Sequence, residues 1–239
     1  MSEQVAATPS LSRQGTVAVL SLGSAEGRFS GESVAALHKC LDEVEASDAT
    51  ALITTAEGKI WSNGFDTDWL GAHKSEAAAT MVATEKLFAR VLTFSLPTVA
   101  AIGGHVFAGG VMLALAHDVR LMRADRGFLC LPEVDMGVVF TPGMTELLTA
   151  VMTPAAAHRT MVLGARLPAP EAVALGIIQE AVPLEEMAGR AMTIAGELGG
   201  RSRATVARLK HRIYADVVAA LGATPPDDAM LDALWSATG

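Results

Sequence analysis

Three places in the chain join residue types that could do chemistry to positions where a fold exposes them. The run WSNGFD, residues 61–66, wedges Ser62, Asn63 and Gly64 between Trp61 and Phe65, directly after an apolar segment. The run GGHVFAGG, residues 103–110, opens an apolar helical stretch, and Glu133 stands inside LCLPEVDMG, residues 129–137. Turns of the first two kinds free backbone N–H groups. Two such donors aimed at one oxygen form an oxyanion hole, and losing one typically costs about 3 kcal/mol of transition-state stabilisation. A carboxylate among apolar neighbours is expected to have its pKa raised by desolvation, which suits a base that must return the proton it takes. The chemistry suggested by the two turns is stabilisation of charge developing on a carbonyl oxygen. Taken singly, each turn also reads as ordinary punctuation and Glu133 as a helix-entry carboxylate. Asp135 competes with Glu133, because alternation along an extended chain puts both on one side.

Other chemistries find less support. GGHVFAGG does not match G-x-G-x-x-G, no G-x-x-x-x-G-K-[ST] occurs, and GESVA at residues 31–35 lacks the second glycine of a nucleophile elbow. The six histidines are scattered without metal-ligand spacing, and His105 and the His117-Asp118 pair, having no nucleophile beside them, read as structural. Cys40 and Cys130 lack metal spacing and read as reduced thiols. A formal net charge of −8 with no Lys/Arg run excludes a nucleic-acid or anionic-membrane partner as the first reading. Hydrophobic residues are 51% of the chain and mean hydropathy is +0.36, yet no apolar run reaches the ~18 residues of a spanning helix. The first 15 residues carry no apolar signal segment and read as a short flexible lead, so a cytoplasmic protein is expected.

The elements that must position these residues follow from periodicity. Residues 16–22, 51–55 and 98–102 are short apolar runs that read as strands. Helical spacing occupies 33–44, 77–92 and 111–117 between or after them. Strand and helix alternate, which argues for parallel pairing through right-handed crossovers. Further strands are expected at 119–122 and 128–131, and helices beginning at Pro142, Pro154 and Pro170, with Gly164 and Gly176 as C-terminal stops. Helices at 184–198 and 205–221 precede a tail marked by PPDD at 225–228. Asp66 is placed to cap the helix leaving its loop.

Together, WSNGFD, the long run TVAAIGGHVFAGGVMLALAHDVRLMRADRGFL and LPEVDMG resemble the crotonase (enoyl-CoA hydratase/isomerase) superfamily, and within it Δ3,Δ2-enoyl-CoA isomerases of the peroxisomal and plant type. The resemblance covers residues 16–183 and rests on order, spacing and wording over three separate motifs. It implies an α/β crotonase-like (ClpP/crotonase) spiral of β-β-α repeats over residues 1–183. A C-terminal helical region, 184–239, would cover the site and build a homotrimer or dimer of trimers. It implies an acyl-CoA thioester substrate and no cofactor, coenzyme A being part of that substrate.

By the same resemblance, the N–H groups of Phe65 and Gly109 hold the thioester oxygen, Glu133 is the catalytic acid/base, and Ser62, Asn63, Gly64, Phe65 and Asp66 form a ligand-contacting strip. Trp61 stands where the family commonly has Phe. The first glutamate of the hydratases falls on Met112. Hydration is helped by two carboxylates, whereas shifting a double bond from C3 to C2 needs one, so the departure at Met112 favours an isomerase acting in oxidation of unsaturated fatty acids. The rivals are a hydratase or other thioester-enolate enzyme, and a non-catalytic acyl-CoA-binding subunit. Lys59, Arg28 and Lys210 are candidates for the coenzyme A phosphates.

Overall fold

The structure, a computed structural model, describes residues 8–237. Its first three turns repeat one theme: a long strand, a short strand or pair of strands, then helix. The first is β1 (Ser10–Gln14), β2 (Val17–Ser21), β3 (Arg28–Phe29) and α1 (Gly31–Ala46). The second is β4 (Ala51–Thr55), β5 (Ile60–Ser62), β6 (Gly64–Phe65), α2 (Thr67–Ala72) and α3 (Lys74–Leu92). The third is β7 (Thr98–Ile102), β8 (His105–Phe107) and α4 (Gly109–Leu115). A fourth, β9 (Val119–Arg123), β10 (Leu129–Cys130) and the single turn α5 (Glu133–Met136), leads into α6 (Pro142–Val151) and α7 (Pro154–Ala157). Then follow a π-helical turn (His158–Val162), α8 (Ala169–Ala174), β11 (Glu180–Val182), α9 (Leu184–Leu198), α10 (Arg203–Ile213), α11 (Ala215–Ala220) and α12 (Asp228–Ala237).

The long strands build one sheet in the order β1-β2-β4-β7-β9-β11, parallel except for the antiparallel β1–β2 edge. The short strands build a second, parallel sheet, β10-β8-β5, and a two-stranded ribbon, β3-β6. This is the spiral of β-β-α repeats, and it replaces the simpler three-strand alternation read from periodicity. The short strands carry two or three residues each, too few to show a period.

Other expectations change at the ends. Ser10–Gln14 is a strand rather than a flexible lead, while residues 1–7 of that lead lie outside the described residues. The helix expected over 205–221 breaks at Tyr214 into α10 and α11. The PPDD segment does not begin a tail: Asp228–Ala237 is helical and packs on α2 and α5. Most of the core lies between the large sheet and α1, α3, α4 and α6, and α9 covers the opposite face through Met187, Ala191, Ile194 and Ala195.

Candidate active site

A cavity of about 340 Å³ opens over the short-strand sheet. Residues from all four turns line it, among them Asn63, Phe65, Ala108, Met112 and Glu133, with Met230 and Leu234 of α12 on one wall. WSNGFD enters it through a set of backbone constraints. Ser62 is fully buried, and its hydroxyl donates to the Gly27 carbonyl at 2.7 Å while accepting from the Gly64 N–H at 3.2 Å. Gly64 adopts φ +76°, which a side chain rarely tolerates. The Asp66 N–H donates to the Phe29 carbonyl at 3.1 Å. Alternation along β6 therefore turns the Phe65 N–H away from β3, towards the cavity side. The Asp66 side chain caps α2 by accepting from the Trp69 N–H at 3.1 Å.

GGHVFAGG meets this turn from the neighbouring strand. Ala108 holds φ 48° and ψ −126°, an outlying conformation for a residue with a Cβ, and its own N–H is spent on the Cys130 carbonyl at 3.1 Å. Gly109 follows as the first residue of α4, where an N–H has no intrahelical partner. A Cβ on Gly64 would stand 2.8 Å from the Gly109 nitrogen, and one on Gly109 would press on the Phe29 ring at 3.3 Å. The two N–H groups thus belong to backbones in contact. Phe29 seals them from behind, edge-on to Phe65 with ring centroids 6.1 Å apart.

Glu133 begins α5 and is 8% exposed. Its Oε2 is buried without a hydrogen-bond partner, and burial pushes the carboxyl up to about 7. It is the only carboxylate lining the cavity among the described residues. Asp135, the competing acid, is exposed and stands by Gly164, outside the lining. Met112 is buried and lines the same cavity.

The structure puts Phe65 and Glu133 on one cavity lining and sets Gly109 against Gly64 without itself lining the cavity; of the proposed ligand strip, Asn63 and Phe65 are on the lining. The Ser62 side chain braces the turn and does not line the cavity. The Asp66 carboxylate faces the adjoining hollow shared with Arg28, Glu26 and Asp68. Arg28 lines both hollows and pairs with Glu26 at 2.8 Å. Lys59 is exposed and off the lining, and Lys210 is buried, bonded to Asp118 at 2.6 Å and likewise off the lining. No His117–Asp118 dyad forms. His117 bridges the Leu113 carbonyl and the Thr54 hydroxyl, and burial lowers its pKa to about 4. Met81, Met136, Met144, Met230 and Leu234, which also line the cavity, were not singled out by sequence. Only the spacing of Met230 and Leu234 in a helical stretch could have signalled them.

Comparison with known proteins agrees with this architecture. The family model for enoyl-CoA hydratase/isomerase matches residues 13–231. The peroxisomal enoyl-CoA delta isomerase 2 of Arabidopsis thaliana is 37% identical over 181 residues, covering 72% of this chain and 75% of the relative. The solved enoyl-CoA isomerase of Mycobacterium tuberculosis superposes with a TM-score of 0.83 at 25% identity, covering 96% of this chain and 98% of that one. Human mitochondrial delta3-delta2-enoyl-CoA isomerase, at 23% identity and 95% coverage of each chain, shares the fold with a TM-score of 0.83. With its repeated β-β-α turns and this match over most of its length, the chain belongs to the enoyl-CoA hydratase/isomerase family.

Proposed function

We propose that the protein is a Δ3,Δ2-enoyl-CoA isomerase of unsaturated fatty acid oxidation. The observation that carries the reading is the single carboxylate of the cavity, Glu133, set beside an apolar Met112. With a pKa of about 7, Glu133 is poised to accept a proton from C2 of a 3-enoyl thioester and to return it at C4. Its Oε2 has no hydrogen-bond partner and is left to exchange a proton with the substrate. As C2 loses its proton, charge moves onto the thioester oxygen, where the N–H groups of Phe65 and Gly109 would receive it. The C3 double bond shifts to C2, and no atom is gained or lost. The dienolate is reprotonated at C4, and Met112 leaves no second base to activate water for addition to the 2-enoyl product. The reaction needs no cofactor beyond the coenzyme A of its substrate, and Asn63 and Phe65 supply part of the surface for that substrate.

The Arabidopsis relative's name supports the same assignment. Glu133→Gln tests it: conversion of 3-enoyl-CoA should fall by about a thousandfold or more with thioester binding kept, since the base is gone and its shape remains. Hydration of 2-enoyl-CoA by the wild type faster than isomerisation of 3-enoyl-CoA would overturn the reading. Among the described residues no helix is long and apolar enough to cross a membrane. Assembly as a trimer through residues 184–239 belongs to the same proposal. Leu209 and Ile213, one helical turn apart on α10, are 55% and 69% exposed and would be covered by another subunit. Light scattering that returned the mass of a single chain would remove this part.

A further inference from the structure

One wall of the cavity carries a cation that the proposed reaction does not use. Leu129 and Leu167 pair antiparallel, exchanging two hydrogen bonds of 2.9 Å, so the segment holding Arg166 extends the short-strand sheet beyond β10. In that register Arg166 lies across from Cys130, and Cys130 is in turn the partner of Phe107 on β8. Phe107, Cys130 and Arg166 form one row of side chains, and all three line the cavity. Arg28, on the separate β3–β6 ribbon, lines the same cavity. The two arginines therefore reach one cavity from different sheets.

They differ in their counterions. Arg28 has Glu26, Asp68 and Asp66 at 2.8, 3.7 and 4.0 Å. Arg166 has no acidic partner among the described residues, and its polar neighbour is the Cys130 thiol. Arg166 is exposed as well as on the lining, and in a chain whose formal net charge is −8 its guanidinium, ion-paired with no carboxylate among the described residues, is open to an anion. A second arginine, Arg126, stands near enough for both to act on His105, while Glu133 and Asp135 stand near enough to act on Cys130. Phe107, whose carbonyl adjoins the Gly64 turn, and Arg166 are two strand spacings apart, about 10 Å between backbones.

The geometry points to Arg166 as a specificity-determining residue that receives a carboxylate at the far end of a short acyl chain, so that the substrates include 3-enoyl thioesters ending in an acid. This rests on the isomerase reading for the place of the thioester. A planar guanidinium suits the partner, since it can hold both carboxylate oxygens at once. The apolar wall of Met81, Met144 and Leu234 would accept chains ending in methyl. One cavity thus offers two directions beyond the reacting carbons.

The test pairs a six-carbon 3-enoyl-CoA ending in methyl with its counterpart of equal length ending in a carboxylate, assayed on wild type, Arg166→Gln and Arg166→Lys. Arg166→Gln should lower kcat/KM for the acid-ended substrate by about tenfold or more and leave the methyl-ended one within about twofold, with partial recovery in Arg166→Lys. Calorimetry with the two saturated thioesters should give the same ranking of affinities. That measurement needs no turnover, so an enzyme that isomerises neither substrate overturns the isomerase reading alone. An equal loss on both thioesters and on free coenzyme A would make Arg166 a phosphate contact and overturn the proposal. An unchanged ranking in Arg166→Gln would do the same, leaving a solvated surface charge.

Discussion

Gly64 and Gly109 meet backbone to backbone: a Cβ added to Gly64 would lie 2.8 Å from the Gly109 nitrogen and 2.9 Å from the Ala108 Cβ. Both requirements on Gly64, its φ of +76° and this approach, come from the same task of bringing the Phe65 N–H beside that of Gly109. Gly64→Ala should therefore part the two donors. The expected result is a fall in kcat of about 100-fold, the cost of losing one oxyanion donor, with a smaller change in KM. Gly58→Ala is the control, because Gly58 has φ +88° but open space around its missing Cβ. It bears the same backbone strain and should keep wild-type kcat. Steady-state kinetics on both variants separate the contact from the strain.

The buried acid links activity to stability through pH. Burial raises the Glu133 carboxyl from 4.5 to about 7, so between those values the folded state holds a proton that the unfolded chain has released. Folded binds more protons than unfolded, hence stability falls as pH rises through this window. The full cost above pH 7 is on the order of 3 kcal/mol for a shift of this size. Glu133→Gln removes the titration. The variant should melt higher than wild type at pH 8, with the difference shrinking as the pH falls to about 4.5. For activity the sign is opposite, since the base must be ionised: kcat/KM should rise with pH through a limb near 7. Thermal melts and a pH–rate profile check the two signs independently.

Much of this site was legible as local wording. The turn residues of WSNGFD and GGHVFAGG announce backbone freed for contact, and Asp66 announces a helix cap, because each statement concerns residues within a few positions of one another. What periodicity missed was made by tertiary contact. The second sheet consists of strands of two or three residues, whose hydrogen bonds come from neighbours far along the chain, such as Phe107 with Cys130. The Ser62 hydroxyl braces the turn, a role nothing local could show, since the Gly27 carbonyl it reaches lies far back in the chain. The methionines of the cavity and Arg166 likewise acquire their meaning only from the spiral that gathers four turns around one hollow. The helix after Pro226 was hidden by its own N-terminal signals, which read equally as the start of a tail.

Met112 carries the sharpest test of why this chain would isomerise rather than hydrate. It is buried on α4, lines the cavity, and stands three residues after Gly109, so a carboxylate there would face the same space as Glu133. Met112→Glu changes little in length but places a second ionisable group in an apolar wall. Two costs follow. The buried charge or its neutralisation should lower the melting temperature, and a second carboxylate in the same hollow should raise the apparent pKa of Glu133 further. Against these, the pair could hold and activate a water at the β-carbon of a 2-enoyl thioester. The expected outcome is loss of isomerase rate at neutral pH together with new formation of 3-hydroxyacyl-CoA, seen by chromatography of the products. Met112→Gln supplies the comparison, being polar without a base, and should lose isomerase activity without gaining hydration. If both variants hydrate equally, the count of carboxylates is not what selects the reaction, and the apolar character of Met112 alone keeps water out.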